Sequence, residues 1–158
     1  MRKGFIVWSV LFLPLLMTAP AWSHCEIPCG IYHDAMRCDM IDEHIATIEK
    51  SMKMIVELSE AKDRNYNQLV RWVMNKEHHA DYIQDIVQQY FLTQRVKPVG
   101  ESDPHEREHY MKKLVLLHGM LVEAMKAKQT TDLDHVNKLR TLLEEFKAAY
   151  FGPEGEGH

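Results

Sequence analysis

Asp34-Ala35-Met36-Arg37-Cys38-Asp39-Met40-Ile41-Asp42-Glu43-His44-Ile45-Ala46-Thr47-Ile48-Glu49-Lys50-Ser51-Met52-Lys53-Met54-Ile55 is the stretch whose reading decides the fold. Met36, Met40, Ile41, Ile45, Ile48, Met52 and Ile55 recur at helical intervals, while Arg37, Asp39, Asp42, Glu43, Glu49 and Lys50 fill the other positions. That spacing gathers the apolar side chains on one face of an α-helix and turns the charges to the other. Asp34 reads as its N-cap.

Outward from this helix, glycine and proline are absent between Gly30 and Pro98, and between Pro104 and Gly152 only Gly119 interrupts. Stretches so free of turn residues predict an all-α chain. A second helix is expected from about Asp63 to Phe91, with Leu69, Trp72 and Val73 early and Ile83, Ile86, Val87, Tyr90 and Phe91 late. Its middle, residues 75–79, is polar throughout, which fits an exposed turn, a kink or a polar site facing inward. Residues 96–104 break the chain, and Asp103-Pro104 supplies an N-cap with proline at the first helical position. The third helix carries Tyr110, Leu114, Leu117, Leu121, Val122 and Met125. The fourth starts near Thr130 or Thr131, buries Leu133, Val136, Leu143 and Phe146, and ends at Gly152-Pro153. Four amphipathic helices with short connections predict a four-helix bundle over about residues 34–151, with residues 153–158 a disordered tail.

The N-terminal residues read differently. Arg2 and Lys3, the apolar run from Phe5 to Met17, and Ala21-Trp22-Ser23 have the form of a signal peptide over residues 1–23, cleaved before His24. An uncleaved anchor is the competing reading, but the apolar run is short for a span and lacks a charged flank on its far side. Cleavage leaves a single domain over residues 24–158 and implies export to the periplasm or the extracellular space. The whole chain has a net charge of −4, and loss of the two leader cations makes the mature chain more acidic. With no basic run and no glycine-rich phosphate loop, nucleic acid is not expected as a partner.

Cleavage before His24 would expose a free α-amine beside an imidazole, the Cys25 amide and the Cys25 thiolate, with the Cys29 thiolate four residues on. The chain holds an odd number of cysteines, Cys25, Cys29 and Cys38, so a complete disulfide framework is excluded, and clustered thiols with a histidine suggest metal or redox chemistry. Amine and amidate nitrogens with thiolates favour a square-planar arrangement, which selects nickel(II) or copper(II) over zinc. Thiolate and amidate charge stabilises a higher oxidation state, and the His24 imidazole can add an axial nitrogen. Pro28 and Gly30 can fold residues 24–32 back into a hook, and Tyr32 is close enough in the chain to place a phenol over its open face.

At these residues the chain resembles the nickel-containing superoxide dismutase family, whose pattern His-Cys-x-x-Pro-Cys-Gly-x-Tyr is matched by His24, Cys25, Pro28, Cys29, Gly30 and Tyr32. The resemblance implies a four-helix bundle assembled as a homohexamer, one nickel ion per subunit, and superoxide as substrate, disproportionated through Ni(II)/Ni(III) cycling. It implies the His24 amine, Cys25 amide and both thiolates as equatorial ligands, with the His24 imidazole axial in the oxidised state. Tyr90-Phe91 is similar to a family Tyr-Phe pair, which makes Tyr90 the partner of Tyr32 at the substrate entrance. The family also orients the axial imidazole with a carboxylate and an arginine. Asp39, Asp42 and Glu43 are candidates for the first, and Arg71, His78 and His79 for the basic partner. A maturation protease is implied as well.

Competing readings attach to other residues. An exported carrier could bind nickel or copper through the same hook without catalysis. His105-Glu106-Arg107-Glu108-His109 fits the zincin pattern formally, but it opens a helix beside a loop, and a solvated helix start is the preferred reading. Cys38 reads as a small buried apolar residue. His44 and His118 lie close to apolar faces, as core or interface residues.

Overall fold

Residues 30–100 and 103–152 are described by the structure, a computed structural model. The leader, the hook residues His24, Cys25 and Cys29, and the tail from Pro153 lie outside them. Among the described residues four α-helices succeed one another: α1 (Asp34–Glu60), α2 (Tyr66–Asp85), α3 (Pro104–Gln129) and α4 (Asp134–Phe151). No strand occurs among the described residues. Their pairing is that of an all-α bundle, with α1 packed on α2 and α4, and α3 on α2 and α4. No helix in the described part is long and apolar enough to cross a membrane.

The core is built from the expected stripes. Cys38, Ile41, Ile45, Ile48 and Met52 of α1 are buried against Ala80 and Ile83 of α2, Leu117, Met120 and Ala124 of α3, and Val136, Leu139, Leu143 and Phe146 of α4. Burial leaves the Cys38 thiol protonated, pushing its pKa up to about 12, in keeping with a packing role. On α3 the buried face is rotated from the expected one: Leu116 and Ala127 join it, whereas Met125 is exposed. His118 is exposed rather than near the core. Asp103 caps α3 as expected, its Oδ1 accepting from the amides of His105 (2.8 Å) and Glu106 (3.3 Å).

The polar middle of α2 faces partly inward. Lys76 is buried, and its Nζ donates to the carbonyls of Ala127 (2.8 Å), Lys128 and Thr130 (3.3 Å). Those carbonyls lie where α3 ends and have no intrahelical donor, so a cation there both completes their hydrogen bonds and meets the negative end of the helix dipole. Asn75 donates to Ser51 Oγ at 3.0 Å, and Nδ1 of His79 lies 3.0 Å from Nδ1 of His44. Of the three readings open for residues 75–79, the inward polar one holds.

Beyond Asp85 the helix does not end. It continues as a π-helix, Ile86–Arg95, in which each turn closes on the fifth residue back; the amide of Val96 donates to the carbonyl of Phe91 at 2.8 Å. Wide turns of this kind are uncommon and concentrate at functional sites.

Candidate functional site

Just before the bundle, Gly30 has φ +74°, a left-handed conformation that costs glycine little and other residues more. Three residues later α1 begins, capped by His33, whose Nδ1 accepts from the Met36 amide at 3.1 Å. The expectation that Asp34 is the cap is therefore corrected. Asp34 is the first helical residue, and its carboxylate turns inward to meet three donor side chains, Arg95, Tyr90 and Tyr150.

Arg95 Nε donates to both Asp34 oxygens (2.9 and 3.0 Å) and its Nη2 to Oδ2 (2.6 Å). The Tyr150 hydroxyl donates to Oδ2 at 2.8 Å, and the Tyr90 hydroxyl donates to Oδ1. Tyr90 oxygen in turn accepts the His33 amide at 3.0 Å. Burial alone would raise the Asp34 pKa, but the hydrogen bonds from Arg95, Tyr90 and Tyr150 outweigh it and hold the carboxyl below its ordinary range. Burial, reinforced by the neighbouring carboxylate, pushes the Tyr90 phenol up to about 12, so it stays a neutral donor. Tyr150 is raised for the same reasons.

Above this knot stand the two tyrosines singled out in the sequence. Tyr32 and Tyr90 rings meet edge to face, centroids 6.0 Å apart. The Arg95 guanidinium lies 4.3 Å from the Tyr32 ring centre, and that of Arg37 lies 5.0 Å from the Tyr90 ring centre. Below, Tyr90, Phe91 and Phe146 meet edge to face in a continuous series, with neighbouring centroids 5.1 and 4.9 Å apart. These contacts seat the tyrosine pair on the hydrophobic core.

A model of the family described as nickel-containing superoxide dismutase matches residues 19–153. The chain belongs to the nickel-containing superoxide dismutase family. It is an oxidoreductase with a nickel cofactor, and it converts two superoxide anions and two protons to dioxygen and hydrogen peroxide. Comparison with curated proteins and with solved structures gives no match.

The chemistry of residues 24–29 suits the cofactor: the Cys25 and Cys29 thiolates, with nitrogen donors from residues 24 and 25, would match a square-planar nickel(II) site better than a zinc site. Next in the chain come Gly30, with its left-handed backbone, and Tyr32, which pairs with Tyr90. Of the residues considered for orienting the His24 imidazole, Asp39, Asp42, Glu43, Arg71 and His78 have exposed positions on α1 and α2, while His79 is engaged with His44. Their relation to His24 falls outside the described residues. His105 and His109 are exposed on the first turns of α3, and among the described residues no group of three or more histidine, cysteine or acidic side chains gathers for a metal.

Sequence reasoning missed three members of the tyrosine support: Asp34 as an acceptor, Arg95 and Tyr150. Tyr150 was within reach, since Leu139, Leu143, Phe146 and Tyr150 continue one face of α4. Arg95 was not, because its placement depends on π winding.

Proposed function

We propose that residues 24–32 form the dismutase centre as a hook, after removal of residues 1–23 by a maturation protease exposes the His24 amine. The amine, the Cys25 amide and the Cys25 and Cys29 thiolates would hold nickel, with the His24 imidazole as axial donor. When bound, nickel supplies the one-electron couple that the protein side chains lack. The observation that carries the reading is the meeting of Tyr32, three residues after Cys29, with Tyr90, their ring centroids 6.0 Å apart. The two are far apart in sequence.

The two phenols then have different tasks. Tyr90 commits its hydrogen to Asp34 and presents a fixed ring, narrowing the entrance to small ligands. Tyr32 is partly exposed, and among the described residues no acceptor takes its hydroxyl, so it can hydrogen-bond an incoming anion. Neither needs to act as a nucleophile.

The test is substitution of the donors. Cys25→Ser or Cys29→Ser replaces a soft thiolate with a harder, weaker donor, and dismutase activity should vanish while helix content by circular dichroism is unchanged. Turnover in either nickel-loaded variant contradicts the ligand assignment. An alanine placed before His24 keeps every side chain but moves the amine away, and should weaken nickel binding and abolish activity. Intact-mass measurement should find a mature chain starting at His24, as expected for export to the periplasm or extracellular space.

Assembly into a hexamer, implied by family membership, has support in an apolar strip on the outer face of α2. Tyr66, Val70, Val73 and Met74 are all exposed, at helical intervals that align them. A strip of this kind suits burial against another subunit. Light scattering should give a mass several times that of one chain, and Val70→Lys should lower it.

A further inference from the structure

We propose that Asp34 and Arg95 are positioning residues for the entrance tyrosines, acting on dismutation through Tyr90 and Tyr32 and not by touching metal or substrate. The proposal rests on the reading of those tyrosines given above. Its geometric basis is the π-helix. Tyr90 and Arg95 are five residues apart, which on an α-helix would point them roughly 140° away from each other. In the wider π turn they share a face, and both reach the Asp34 carboxylate.

Each bond at that carboxylate then fixes one phenol. Tyr90 donates to Asp34 and accepts from the His33 amide, so its oxygen is held from two sides and its ring cannot swing into the entrance. Arg95 is locked by its paired bonds to Asp34, leaving the flat face of the guanidinium for Tyr32, 4.3 Å away. A planar fork gripping a carboxylate while stacking on a ring is a task lysine cannot perform. Because Asp34 neutralises it, Arg95 is a support and not an anion site. Tyr150 adds a further hydrogen bond to Oδ2, so α4 takes part in holding a site whose carboxylate stands at the start of α1.

A purely structural role predicts the same loss of stability but a different pattern of kinetics. In the nickel-loaded enzyme, Arg95→Lys should lower kcat/KM by on the order of 10-fold, within the range that misplacement of reacting groups can cost. In a Tyr32→Phe background the same substitution should cost little further, because its target is already impaired. Asp34→Asn should behave likewise toward Tyr90→Phe. Losses that multiply fully in those backgrounds overturn the proposal. Metal-free protein carrying ring-labelled tyrosine gives a second readout by NMR. Arg95→Lys should shift the Tyr32 ring signals, and Tyr150→Phe those of Tyr90, at unchanged helix content. Unshifted signals would also overturn it. If Asp34→Asn fails to fold, Arg95→Lys and Tyr150→Phe still decide. Full activity in both Tyr32→Phe and Tyr90→Phe removes the tyrosine assignment itself, and the positioning role with it, a result distinct from multiplying losses.

Discussion

Arg37 carries a charge that no carboxylate among the described residues pairs, and its Nε is buried without a hydrogen-bond partner. It stands over the Tyr90 ring, whereas Arg95 is neutralised by Asp34. Since the substrate is an anion, Arg37 stands beside the tyrosine pair as a cation that no described carboxylate compensates, and such charges raise on-rates by factors of ~10 or more at low salt. Arg37→Gln should lower kcat/KM severalfold and flatten its decline with ionic strength; an unchanged salt slope would assign the steering elsewhere. Asp34 has a pH signature of its own. Its folded-state pKa lies below the unfolded value of about 3.9, so the unfolded chain binds more protons across that interval. The stabilisation is present above the unfolded pKa and is lost as pH falls through the folded one. Urea unfolding between about pH 5 and pH 2 should show this slope, and Asp34→Asn should remove its share. Equal slopes in the two proteins would mean the carboxylate is not held as described.

The helices were legible where a 3.6-residue period met a single buried face, as in Ile41, Ile45, Ile48 and Met52 of α1. The π stretch was not, because Ile83, Ile86, Val87, Tyr90 and Phe91 read equally well as an α-helical stripe, and the winding is set by tertiary contacts. Lys76 was misleading in another way, since lysine is rarely buried and its reason lies at residues 127–130. Replacing it by methionine leaves those carbonyls without their donor, and chemical denaturation should record a loss of about 1–3 kcal/mol; no change would mean water caps α3 equally well. The His44–His79 contact gives α1 and α2 a pH-sensitive seam. Burial, and for His44 the facing His79, lowers both pKa values despite Glu43 nearby. Unfolding therefore takes up protons just below the ordinary histidine value, and thermal stability should decline as pH drops below about 6.5. His79→Gln should blunt that decline, and an identical pH profile would refute the seam.

For the whole molecule, the metal donors proposed here could be read from sequence because they lie within six consecutive residues, a local arrangement that sequence preserves. The support of the tyrosines is drawn from residues 33, 34, 95 and 150, and no spacing rule links them. That scattering bears on how the protein is made. Asp34 and Tyr150 are separated by 116 positions, so the loop their hydrogen bond closes contains nearly the entire bundle, and long-range closures of this kind come late in folding. Ribosomal synthesis delivers Asp34 and Tyr90 well before Tyr150. A nascent or C-terminally clipped chain can carry every donor proposed for the metal and still lack the fully braced tyrosine pair. The bond from α4 thus serves as a completion mark: the tyrosine pair reaches its final geometry only once α4 has been made and docked against α1.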